Sequence, residues 1–133
     1  MAEKVAIVAC TGMGKALASV GRYAALYLTT ILRPESTVNV CFPCVTAADD
    51  ASLELLHQYP AIIIDGCAQT CGSKILAQLG INVIAHLKVW QLMAKYRGLK
   101  PDSRVKIGEN GKELAKHIAE ETALKVDAYL GGE

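Results

Sequence analysis

Three features of the sequence predict an α/β domain: a small, open, mostly parallel sheet of about four strands with helices on both faces, in the three-layer arrangement of Rossmann-like or flavodoxin-like folds. Short apolar runs alternate with stretches of helical periodicity along the chain. The central run is nearly all β-branched and shows no in-out alternation, as a strand covered on both sides should. The spacing between runs fits crossover helices with right-handed connections. At 133 residues, 52% of them hydrophobic, the chain suffices for one core, so a single domain over 1–133 is expected.

In order, 4–9 is an apolar strand ending at Cys10, followed by the turn Thr11-Gly12-Met13-Gly14-Lys15. Leu17, Val20, Ala24, Leu28 and Ile31 then recur at spacings of three and four on one helical face, with Arg22 and Arg33 off it, until Pro34 stops the helix. The alternating, β-branched segment 37–42 (TVNVCF) reads as a second strand, with Cys41 at its end and Cys44 just beyond Pro43. Asp49, Asp50 and Ser52 cap a short helix carrying Leu53, Leu55 and Leu56, which Pro60 ends.

The stretch 61–76, AIIIDGCAQTCGSKIL, reads as a buried strand through Asp65 that Gly66 turns sharply toward a helix over 70–79, ended by Gly80. The run 81–85 carries the weakest strand signal. Leu87, Trp90 and Met93 share a helical spacing, so 85–99 reads as helix. A polar loop over 100–106 and a closing helix over 113–130, with Leu114, Ile118 and Ala119 inward, complete the chain.

The net charge of +1 creates no field that would recruit nucleic acid or an anionic membrane, and the few aromatics form no basic stacking cluster. Segment 5–10 (VAIVAC) imitates a lipoprotein cleavage box, but only nine residues precede Cys10, too few for a signal peptide. No apolar run reaches the roughly 18 uninterrupted residues of a membrane helix. A soluble cytoplasmic protein is the expectation. In a reducing compartment, five cysteines fit a metal site or reactive thiols better than a disulfide framework.

In open parallel sheets, ligands gather outside the carboxyl ends of the strands. Cys10, Cys41 or Cys44, and Cys67 each follow a different predicted strand, and Cys71 lies four residues beyond Cys67, one helical turn. The thiols should therefore converge. Buried cysteine is a common core residue, but filling a core gives no reason to cluster at strand ends. Thiolates at about 2.3 Å suit Zn²⁺, and copper(I) or an iron-sulfur cluster would accept the same ligands. Lys15 and Lys74 add positive charge beside Cys10 and Cys67, both placed just before predicted helix N-termini. Gly12 and Gly14 allow backbone N–H groups to approach an anion, yet the turn has neither phosphate-loop nor dinucleotide spacing, and tight packing explains it better. Asp65 could accept turn N–H groups, orient a cysteine ligand, or act as a base, the structural role being the simplest. His57, His86 and His117 fall on separate predicted helices or helix edges without ligand spacing and are left out of the site.

The segment Ile64-Asp65-Gly66-Cys67, followed by Cys71 and Lys74, and the earlier Cys10-x-Gly12-x-Gly14-Lys15 together resemble the DGC-domain family, named for the central triplet and associated with zinc binding. The similarity is strongest over 4–85. It implies four chelating cysteines, which here fall on Cys10, Cys41, Cys67 and Cys71, with Cys44 as an extra thiol. Two function classes follow: a zinc or other soft-metal protein, or a thiol redox enzyme with Cys10 or Cys67 as nucleophile and Cys71 or Cys44 as resolving partner. The apolar first helix could be buried in the sheet or partly in a homodimer.

Overall fold

The computed structural model describes residues 4–10, 15–66 and 68–131. Four strands, β1 (Val5–Cys10), β2 (Thr37–Val40), β3 (Ala61–Asp65) and β4 (Val83–Lys88), form one sheet in the order β2-β1-β3-β4. Every pairing is parallel, so the predicted "mostly parallel" sheet is wholly so. The helices are α1 (Ala16–Tyr27), α2 (Phe42–Thr46), α3 (Asp50–Gln58), α4 (Cys71–Gln78), α5 (Val89–Lys95) and α6 (Gly108–Gly131).

Alternation along the strands divides the core in two. Val5, Ile7, Ala9, Ile62, Ile64 and Leu87 pack with Val20, Ala24 and Ala25 of α1 and with Leu114, Ile118 and Ala119 of α6. Ala6, Val8, Val40, Ala61 and Ile63 pack on the other face with Val45 of α2, Leu56 of α3 and Leu76 of α4. This is the expected three-layer fold. Strand order reverses between β1 and β3, so the crevice favoured for ligands lies at their carboxyl ends, where Cys10 and Asp65 are register partners.

Beyond element ends, such as α6 starting at Gly108 rather than 113 and β2 ending at Val40 rather than 42, three elements differ from expectation. The fourth strand runs to Lys88, so His86 and Leu87 belong to a strand, and only Val89–Lys95 is helical in the segment 85–99. β4 is a sheet edge whose residues other than Leu87 are half-buried, and a register shift against β3 near Ala61 and Ile62 adds to its irregularity. Its apolar pattern is therefore diluted. Helix α2 was not expected: Pro43 stands in its first turn, where proline is tolerated, and does not interrupt it. Finally, α1 runs into a π-helical turn, Leu28–Leu32, leaving Ile31 60% exposed. The wider turn shifts the phase of the apolar stripe, while Thr29 and Thr30 hydroxyls donate to the Ala25 and Leu26 carbonyls, at 2.9 and 2.6 Å.

Candidate functional site

The parallel sheet brings Cys10 and Cys41 to its carboxyl edge. Cys10 ends β1, and by alternation from Ala6 and Val8 it belongs to the face covered by α2, α3 and α4. Cys41 follows β2 directly and is the N-cap residue of α2. Cys71 begins α4, which packs on that same face through Leu76 against Ile63.

Asp65, 1% exposed at the end of β3, fixes this corner. Its Oδ1 accepts from the Gly72 N–H at 3.1 Å, and its Oδ2 accepts from the Ser73 N–H at 3.2 Å. These are second- and third-position amides of α4, which a helix cannot satisfy internally, and Thr70 supplies no side-chain cap. Asp65 therefore caps the helix from the neighbouring strand. The same Oδ2 lies 2.6 Å from His86 Nε2. One buried carboxyl thus ties β3, β4 and the Cys71-bearing turn together.

The two glycines of this corner serve close packing. Gly66 is absent from the positive-φ positions, and a Cβ there would run into the backbone of Leu17 and Ala18 at the start of α1. Its place in the motif lets α1 abut the end of β3; turn geometry does not demand it. A Cβ on Gly72 would fall 2.7 Å from Ile63 Cδ1 and 2.8 Å from Asp65 Oδ1, so glycine is what lets α4 descend onto Asp65.

At the other end of the edge, Cys44 Sγ donates to Cys41 Sγ at 2.7 Å. That bond, with burial and the nearby charges of Cys41 and Asp49, holds the Cys44 thiol above its ordinary range. Two sulfurs bound to one tetrahedral Zn²⁺ at about 2.3 Å would stand about 3.8 Å apart. As placed, Cys41 and Cys44 offer an ion one ligand, not two.

Among the described residues, no group of three or more Cys, His, Asp or Glu side chains is close enough to hold a metal ion. Cys67, Gly12 and Gly14 lie outside the described residues. Residues 68 and 69 form a turn and Thr70 is left-handed, so the helix begins at Cys71; the expected one-turn relation of Cys71 to Cys67 involves a residue outside those described. Lys74 is exposed on α4. Lys15 is the extended N-cap residue of α1 and, with Leu17, Gly66, Met93 and Lys100, lines a cavity of about 340 Å³ at the β1–β3 crevice.

His86 is the residue that sequence reasoning missed. The available signal was alternation in Ala85-His86-Leu87-Lys88, which was masked by the helical spacing of Leu87, Trp90 and Met93. His117 stacks on Tyr96 with centroids 4.4 Å apart, a packing role away from the sheet edge.

No curated protein and no solved structure matches the chain. A family model, the DGC domain, matches residues 6–126, a span that extends past the 4–85 core of the resemblance to take in β4 and most of α6. With the Asp65-Gly66-Cys67 triplet at the head of the capped corner, the chain belongs to the DGC-domain family.

Proposed function

We propose that this protein binds Zn²⁺, or another soft ion, through Cys10, Cys41, Cys67 and Cys71 at the carboxyl edge of the sheet. The observation that carries the reading is the Asp65 corner: its hydrogen bonds to Gly72 and Ser73 fix the turn bearing Cys71 beside the strand whose register partner ends in Cys10. Buried acceptors that orient the elements carrying metal ligands are a recurrent support of such centres. The donor chemistry fits, since thiolates are soft ligands and four of them satisfy tetrahedral zinc. When bound, the ion would hold the ends of three strands and the start of α4 in fixed relation. Cys44 stays outside this set, because it is too near Cys41 to share an ion with it.

The test is elemental analysis of untagged protein purified reduced and anaerobically without added metal. Near-stoichiometric zinc that is lost on Cys71→Ser, but retained on Cys44→Ser, supports the assignment. Metal-free protein, or zinc indifferent to Cys71, contradicts it.

A further inference from the structure

We propose that Cys41 and Cys44 form a thiol–disulfide exchange site that takes a small, carboxylate-bearing disulfide, with Arg22 as the group that recognises its charge. The two sulfurs are 2.7 Å apart, and closing to a bond of about 2.05 Å requires only a small approach. They sit at the start of a short helix whose first turn contains Pro43. Cys41 is exposed, while Cys44 is half-buried behind it.

Cys41 also lines a cavity of about 350 Å³ between the carboxyl ends of β1 and β2 and the flank of α1. That volume is in the range of small-molecule sites. Its walls combine Ala9, Leu26, Val40 and Phe42 with two polar side chains, Asn39 and Arg22. Arg22 makes no ion pair within 4 Å of any described residue, in contrast to Arg33, which is paired with Asp127 at 2.7 Å. A guanidinium with no ion-pair partner among the described residues, beside an exposed thiol, suits a ligand that brings both a carboxylate and a sulfur. Cys44 does not line this cavity, so the roles differ: Cys41 meets the substrate and Cys44 resolves.

The chemistry balances in two exchanges. The Cys41 thiolate attacks one sulfur of RSSR, forming Cys41–S–S–R and expelling RS⁻. The Cys44 thiolate then attacks the Cys41 sulfur, closing the Cys41–Cys44 disulfide and expelling the second RS⁻. The protons of the two protein thiols end on two RSH. The protein pair loses two electrons and the small disulfide gains them. Because Cys41 is also a ligand in the centre proposed above, closing the disulfide would withdraw it from the ion, a consequence that rests on that reading; the exchange itself does not.

Full-length reduced protein, as isolated and after chelator treatment, would be mixed with oxidised glutathione, neutral bis(2-hydroxyethyl) disulfide or cationic cystamine. After acid quenching and alkylation, the disulfides would be mapped by mass spectrometry. The expected product is Cys41–Cys44, formed fastest with oxidised glutathione. Arg22→Gln, an exposed substitution checked for folding by its melting curve, should slow that reaction roughly twofold to fivefold, the scale of one exposed charge contact, and leave the neutral disulfide unaffected. Cys44→Ser should stall the reaction as a mixed disulfide on Cys41. Oxidation of a different cysteine pair, or equal slowing of all three reagents by Arg22→Gln, overturns the proposal. Metal-free starting protein that still closes Cys41–Cys44 would contradict the metal centre alone, and metal-loaded protein that never closes this pair, even after chelation, would contradict the exchange alone.

Discussion

At the scale of single residues, Asp65 has the most work to do. A carboxyl buried to this degree must have partners, and it has three: two helix amides and the His86 imidazole. Asp65→Ala leaves both amides and the imidazole unsatisfied and should cost about 3 kcal/mol, read as a lowered midpoint in urea unfolding. Asp65→Asn, which keeps one acceptor, should cost less. The glycine beside it is set by packing. Gly66→Ala places a methyl into the α1 backbone at Leu17 and Ala18, which cannot yield as a side-chain tip would, so a loss of about 2 to 3 kcal/mol is expected in thermal or urea unfolding. Wild-type stability in either variant would contradict the corner as described. The sequence made Asp65 conspicuous as a polar residue ending a buried strand, and the helix-capping role follows from that position. It did not disclose His86, because which side chains meet across β3 and β4 depends on register, and the register shift near Ala61 cannot be read from composition.

At the scale of elements, periodicity was legible wherever an element is covered by several neighbours. β1 and β3 lie in the middle of the sheet, with helices on both faces, and their apolar runs are unbroken. α6 shows its inward Leu114, Ile118 and Ala119 for the same reason, and Asp49 caps α3 by accepting from the Ser52 N–H at 3.0 Å, as its spacing implies. β4 lies at the edge and lost its pattern to polar residues. The five-residue α2 is too short to have one, and its proline resembles a stop signal although it occupies a permitted first-turn position. The α1 stripe failed only at Ile31, where the π turn breaks the 3.6-residue phase that the prediction assumes. The arrival of Cys10 and Cys41 at one sheet edge was legible, since a parallel sheet sends all strand ends there; the 2.7 Å approach of Cys44 to Cys41 was not, as it requires α2 to form.

At the scale of the whole molecule, α6 is pinned across the sheet from the site by two ionic contacts. Arg33 donates Nε and Nη2 to the two oxygens of Asp127, at 2.8 and 2.7 Å, and holds that carboxyl below its ordinary 3.8. Burial alone would push Glu121 up, but hydrogen bonds from Lys95 and Tyr96 outweigh it and hold Glu121 below its ordinary 4.5. Carboxyls lowered in the folded state contribute stability that is complete above their ordinary values and lost as the pH falls through the lowered ones. Urea midpoints should therefore decline below about pH 4.5, and Asp127→Asn combined with Glu121→Gln should flatten that decline while lowering the midpoint at neutral pH. An acid limb unchanged by the pair of substitutions would contradict this role. Among the described residues no helix is long and apolar enough to cross a membrane, and the layers close around one continuous sheet whose carboxyl edge carries Cys10 and Cys41. The most direct test of the proposed centre is differential alkylation of the protein as purified, reduced and anaerobic, before and after chelator, with each cysteine quantified by mass spectrometry. The account predicts that Cys10, Cys41, Cys67 and Cys71 are protected until the chelator removes the ion, while Cys44 already labels, slowly, with the ion in place. Equal labelling of all five before and after chelation would contradict it.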